Sequence, residues 1–266
     1  MLRRPVLVLL VLLVMLPVSA CSRHSPPATR TPIQRWLSGG TTYIAHRGGD
    51  RDWPEGTAYA YAKAAAWNPN LALEVPVWPT SDGIWVVSEG ATTGRVFDKN
   101  YTITKTPWSI LSTLRTRHGS LPMARLGNDV LDKYGHNRIV FIDDKPSMDV
   151  DSFFAALAPY QGKGRFIIKS YWSASALPRE AHARGYQTWG YYYARNMTHF
   201  ASTQSRFDLL GLDYGAPASA FATMRATGKP VIAHVVATAE AAQTALADRA
   251  SGLMVSGVEQ VVPRAN

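Results

Sequence analysis

The amino-acid sequence predicts a (β/α)8 barrel of the α/β class. Three observations carry that reading. Short β-rich runs recur from residue 43 to residue 256. Ala-rich or amphipathic stretches separate most of them. Each run also ends in a polar or charged residue, and the carboxy-terminal ends of barrel strands are where active sites are built.

Taken in order, the strand candidates are 43–47, 71–77, 139–143, 166–170, 188–193, 209–213, 231–236 and 252–256. Near-continuous apolar runs of this kind suit parallel strands buried on both faces. Helical patterns lie at 58–67, 130–134, 151–158, 175–184, 197–202, 218–227 and 237–247. A doubly wound open sheet is the competing topology. It favours a glycine-rich loop after the first strand, and no GxGxxG motif occurs. The 84–87 run reads as an extra short strand beside the end of 71–77. A long polar insertion, 90–128, follows it on the active-site side of the barrel.

Composition narrows the function classes. The chain has 266 residues, a formal net charge of +9 and one cysteine. A single Cys excludes an intramolecular disulfide and a four-Cys zinc site. Lys and Arg are dispersed, with no zinc-finger spacing, RNP-like aromatic motif or basic helix. The charge therefore points to no nucleic acid, and fits a basic surface or an anionic substrate.

Residues 1–20 read as a bacterial lipoprotein signal peptide. Arg3 and Arg4 precede an apolar stretch, and Val18-Ser19-Ala20-Cys21 resembles a lipobox. The lone cysteine, Cys21, then becomes the lipidated first residue. The alternative is an ordinary signal peptide with an incidental Cys. Residues 21–40 form a tether, with a short helical turn at 34–37, and 41–266 form the barrel. The expected location is the bacterial cell envelope, anchored by lipid to the outer face of a membrane.

The strand ends gather His46 and Arg47, Glu74, Asp143 with Lys145, Lys169, Tyr193, Asp213, His234 and Ser256. Alternation puts Glu74 and Asp143 on inward faces of neighbouring strands, and turns Asp144 the other way. Two such carboxylates suit a hard divalent cation, Mg2+ or Ca2+. The alternative is a buried Glu74–Lys145 ion pair without metal. Trp78, Trp85, Trp172 and residues 191–193 offer either an aromatic wall or core packing.

Longer segments carry a family resemblance. His46-Arg47-Gly48, followed by Pro54-Glu55-Gly56-Thr57, resembles the HRG…PENT signature of glycerophosphodiester phosphodiesterases. Leu73-Glu74-Val75-Pro76, with Thr80-Ser81-Asp82-Gly83 and Val86-Val87-Ser88-Glu89, resembles that family's ExD…TxDG…VVxHD block. Asp143-Asp144-Lys145 is similar to its ExK strand. The resemblance runs from about residue 42 to residue 260 and implies a PLC-like phosphodiesterase barrel. It implies His46 as an acid/base, Arg47 and Lys145 on phosphate, and Glu74 and Asp143 on a weakly bound divalent cation.

Four positions depart from the pattern, the first being Gly56, which stands where the PENT segment has Asn. The second histidine falls on Ser88, the second metal carboxylate on Pro76, and the ExK glutamate on the shorter Asp143. Glu89, His118 and His234 are candidate replacements for the missing base, although alternation points Glu89 away from the face of Ser88. Two readings follow. One is a lipid-anchored hydrolase that cleaves glycerophosphodiesters to an alcohol and glycerol phosphate, with reduced activity. The other is a non-catalytic barrel that binds a phosphodiester or a phospholipid head group. Intact mass of the membrane-extracted protein should show an acylated Cys21 terminus; a free Cys21 thiol would refute the anchor.

Overall fold

The computed structural model describes residues 29–265, so the signal peptide and Cys21 lie outside the described residues. The first element, α1 (Pro32–Leu37), begins at a capping box in which Thr31 and Gln34 satisfy each other's backbone N–H groups. Ile33 is buried, and with Trp36 and Leu37 it packs against the barrel's interior side chains. Ordered structure thus begins upstream of residue 41, inside the segment expected to be a tether.

The strands are β1 (Thr42–Ala45), β2 (Ala72–Pro79), β3 (Trp85–Val87), β4 (Val140–Asp144), β5 (Phe166–Tyr171), β6 (Gln187–Tyr192), β7 (Leu209–Asp213), β8 (Val231–Val236) and β9 (Gly252–Val255). All but β3 pair in parallel. Because β1 pairs with both β9 and β2, the sheet closes into the eight-stranded barrel that the sequence predicts. β3 adds to β2 in antiparallel fashion, outside the ring.

The intervening helices are α2 (Ala58–Trp67), α3 (Trp108–Leu111), α4 (Asp132–Tyr134), α5 (Val150–Leu157), α6 (Ala176–Ala183), α7 (Phe200–Thr203), α8 (Ala218–Arg225), α9 (Ala239–Ala247) and α10 (Val258–Val261). Side-chain oxygens of Thr57, Asp149 and Thr238 cap α2, α5 and α9. Two expected helices come out differently. The one at 197–202 is mostly a 3-10 segment, Ala194–His199, leading into α7. The one at 130–134 starts as a wide π turn, Leu126–Leu131.

Two apolar layers fix the frame. Inside the barrel, Ile44, Ala72, Phe141, Ile167, Trp189, Leu209, Ile232 and Met254 form one cluster, with one residue from each barrel strand. The opposite strand faces, including Leu73, Val75, Ile142 and Ile168, pack with Phe153, Leu177 and Phe221 of the helices. Full burial of a side chain of this size contributes about 1.5–3 kcal/mol. The polar insertion has a small core of its own: Phe97, Ile103, Leu111, Leu114 and Met123 gather on Val86 of β3.

Asp144 ends β4 with its side chain turned out of the barrel, as alternation predicts. Among the described residues it neither caps a helix nor forms a salt bridge. Oδ1 accepts the Ser147 N–H at 3.3 Å, and Oδ2 is buried without a partner. Burial, which that bond only partly offsets, together with the charges of Asp143 and Asp149, pushes this carboxyl up to about 7. A raised acid disfavours folding once it must ionise. The penalty grows as pH rises from about 4 to 7 and is constant above that. Asp144→Asn should therefore raise the melting temperature at pH 8, by an amount on the order of 2 kcal/mol in stability. The gain should vanish below pH 4, which thermal melts across that range will check.

Candidate active site

The turn after β1 sets the geometry. His46–Gly48 is a tight turn in which Arg47 holds a left-handed conformation, with φ 50 and ψ 32. That conformation is unfavourable for a residue with a Cβ and persists where the surroundings demand it. Here it aims the Arg47 backbone N–H at Glu74 Oε2, 2.7 Å away. One turn on, Asp50 Oδ1 lies 3.0 Å from His46 Nδ1. A carboxylate can only accept, so Nδ1 carries the hydrogen and Nε2 is the nitrogen left for a ligand.

Glu74 and Asp143 come together at this mouth, as the alternation predicts, but a third residue lies between them. The Lys169 ammonium is 2.7 Å from Glu74 Oε1 and 2.9 Å from Asp143 Oδ2. Lys145 Nζ is also 2.9 Å from Asp143 Oδ2, so two ammonium groups share one oxygen. These Asp143 contacts are ion pairs without hydrogen-bond alignment. The Glu74–Lys145 pair that the sequence offered is not formed: Glu74 pairs with Lys169, and Lys145 pairs with Asp143 and Glu89.

The charges decide the protonation states. Burial alone would raise Glu74, yet Lys169, His46 and Lys145 outweigh it and hold its carboxyl down at about 2. Burial alone would strip the proton from Lys169, but Asp143 and Glu74 reverse that and keep it an ammonium.

Arg47 and Lys145, the two cations expected on phosphate, form a cradle. Glu89 sits in it: Oε1 is 2.8 Å from Lys145 Nζ and 3.2 Å from Arg47 Nη2. Alternation pointed Glu89 outward, but β3 ends at Val87 and the rule ends with it. Glu55 takes the other side of the guanidinium, at 2.9 Å from Arg47 Nη1, and also meets Arg95. Half-buried Arg47 stays charged because Glu89 and Glu55 more than offset its desolvation. Among the described residues, Arg47 Nε and Glu89 Oε2 are buried without hydrogen-bond partners, which leaves a donor and an acceptor for a polar ligand.

Trp189, Tyr191, Tyr193 and His234 line a small pocket of about 90 Å³ together with His46, Arg47, Glu89, Lys145 and Lys169. Tyr191 and Tyr193 thus belong to an aromatic wall, while Trp85 and Tyr192 are core. Trp78 packs on the insertion's core. The other strand-end groups serve structure. His234 is 3.0 Å from Tyr192 O, and burial, with Lys169 and His46 nearby, pushes it down to about 3. A neutral ring held this way is no proton shuttle near neutral pH. His118 is exposed and lines a different cleft, beside 50–55. Asp213 accepts the Ala194 N–H at 2.6 Å, and the Ser88 hydroxyl donates to Gly90 O at 2.8 Å.

These residues do not fit the divalent cation that the resemblance implies. The space between Glu74 Oε1 and Asp143 Oδ2 holds an ammonium, and the other Glu74 oxygen is bonded to Arg47 N–H. Pro76, in register with Asp143, offers no side-chain oxygen. Among the described residues, no three or more His, Cys, Asp or Glu side chains converge to hold a metal.

Sequence reasoning missed Asp50 and Glu55 as partners of the His46–Gly48 turn. Their signal was present: Asp50 stands four residues after His46, and Glu55 lies in the PENT-like segment. Lys169 was visible as a strand end, but its bridging role depends on the β2–β4–β5 order.

No protein-family model matches the chain. Solved structures do. A candidate glycerophosphoryl diester phosphodiesterase from Agrobacterium tumefaciens aligns with a TM-score of 0.72 at 19% identity, over 82% of this chain and 94% of that one. A phosphodiesterase from Oleispira antarctica, solved in complex with the product sn-glycerol-3-phosphate, gives 0.71 at 16%, over 84% and 95%. A glycerophosphodiester phosphodiesterase from Thermotoga maritima gives 0.65 at 18%, over 82% and 96%. The chain has the fold of these proteins.

Removing one partner from a buried ion network strands the others. Glu74→Gln should cost about 3–5 kcal/mol at pH 7. Glu74 has a folded value below its ordinary 4.5, so its contribution is complete above that pH and is lost as pH falls through about 2. The gap between wild type and variant in denaturant titrations should therefore close on acidification from pH 5 to pH 2. A constant gap would show that the Glu74 charge is not what stabilises the fold.

Proposed function

We propose that this protein is a phosphodiester hydrolase acting on glycerophosphodiesters, with turnover slowed by its own substitutions. The observation that carries the reading is one constellation at the barrel mouth. An imidazole oriented by Asp50 stands beside a cradle of Arg47 and Lys145, closed at rest by the Glu89 carboxylate. A substrate phosphate has the charge and acceptor geometry to replace that carboxylate. The fold shared with known phosphodiesterases supports the same reading.

In this mechanism Arg47 and Lys145 hold the non-bridging oxygens of the phosphate. A hydroxyl of the substrate's glycerol forms its bond to phosphorus as the bond to the departing alcohol breaks, and water then opens the resulting cyclic phosphate to glycerol phosphate. His46 Nε2 carries one proton across that step, taking it from the nucleophile or giving it to the leaving oxygen. The second transfer has no dedicated group, because Ser88 does not ionise near neutral pH and its hydroxyl is committed to Gly90 O. Loss of one acid/base group typically costs about 10^2–10^4 in rate. The proposed setting is the bacterial envelope, with the chain tethered to a membrane through Cys21.

Glu89 and Ser88 together favour a second reading, a barrel that binds a phosphodiester or a head group without turning it over. One experiment separates the two. Glycerophosphocholine and glycerophosphoglycerol are offered to wild type, with glycerol 3-phosphate release as the readout and calorimetry for binding. The hydrolase reading expects slow release that falls at least about 100-fold in His46→Ala. No release, with binding that disappears in Lys145→Ala, would establish the binding reading. Neither release nor binding would overturn both. Glu89→Gln should bind glycerol 3-phosphate several-fold more tightly, because the cradle no longer has to lose a charged occupant first.

A further inference from the structure

Lys169 sits on the inward face of β5, one alternation above Ile167, whose side chain belongs to the barrel's apolar interior. Its stem reaches past β4 to meet Glu74 on β2 as well as Asp143 on β4. The ammonium lies 5.1 Å from the Tyr191 ring and 5.7 Å from the Trp189 ring, so two aromatic faces close its other side. A lysine almost never sits this deep in a protein unless it is paired. Here it is paired twice.

A divalent ion entering between the same two oxygens would have to expel this ammonium, and would still face Lys145 across Asp143 Oδ2. Like charges at such distances repel strongly where water is excluded. Pro76 has removed the oxygen that could tip the balance the other way.

We propose that Lys169 is the built-in cation of this site, taking the place of a bound divalent metal, so that anionic ligands bind without one. Its ammonium cancels one of the two carboxylate charges and keeps Glu74 and Asp143 from repelling a phosphate. Its side chain also lines the small pocket beside Arg47 and Lys145, where it adds positive charge. Which ligand it serves rests on the phosphodiester reading above; its occupancy of the metal position does not.

The test therefore reads metal binding and melting rather than turnover. Wild type should melt at the same temperature in EDTA and in millimolar Mg2+ or Ca2+, and calorimetry should detect no stoichiometric binding of either ion. Glycerol 3-phosphate affinity should agree within about twofold in EDTA and in Mg2+. Lys169→Ala should melt lower in EDTA, and should regain stability with Ca2+ or Mg2+ but not with K+. If that variant does not fold, the charge-balanced pair Glu74→Gln with Lys169→Met supplies the control, and should ignore divalent ions. Stoichiometric micromolar binding of Mg2+ or Ca2+ by wild type would overturn the proposal. So would a Lys169→Ala protein that folds and remains indifferent to divalent ions. Loss of ligand affinity alone, with metal indifference intact, would sink the phosphodiester reading and leave this one standing.

Discussion

The Lys169 ammonium lies within 3 Å of carboxylates from two different strands, and nearly every other polar contact at the mouth is arranged around that bridge. Without it, Glu74 and Asp143 would be two anions in a space with almost no water. With it, Glu74 Oε2 is free to accept the Arg47 N–H and thereby fix the left-handed turn that presents His46. Asp143 is likewise left to anchor Lys145, which in turn draws Glu89 inward. The network alternates in sign from β5 to the first turn. Such a network is only as stable as its pairing is complete, since one missing partner leaves a buried charge uncompensated.

Glu89 shows how local a sequence rule can be. Inside a strand, neighbouring side chains alternate faces, but β3 has only three residues and the chain bends straight after Ser88. Once the strand has ended, electrostatics decides where the side chain goes. Two cations with no other shared counter-ion pull the carboxylate in. The site at rest is thus a cradle that already holds an anion.

The barrel was legible because its signals are redundant. Strand-length apolar runs, intervening helices and polar strand ends each point to the same closed sheet. His46, Arg47, Glu74, Asp143 and Lys145 all reach the mouth for that reason. What was not legible depends on which residues meet across the ring. Lys169 reaches Glu74 past an intervening strand, and no spacing in the chain encodes that contact. The short helix at 197–202 is largely replaced by a 3-10 segment, which opens on a turn where Asn196 Oδ1 accepts the Tyr193 N–H and Tyr193 O accepts the Asn196 N–H. The insertion reads as polar, yet its scattered Phe97, Ile103, Leu111 and Met123 converge only when β3 supplies Val86.

The helix α1 makes the barrel one-ended. Trp36 stacks edge-on against Phe141 and donates its indole N–H to Asn70 O, so the helix lies across the amino-terminal ends of the strands, opposite the mouth. With the floor of the vessel covered by α1, a ligand that reaches His46, Arg47 and Lys145 enters from the carboxy-terminal ends of the strands, past the Glu89 carboxylate.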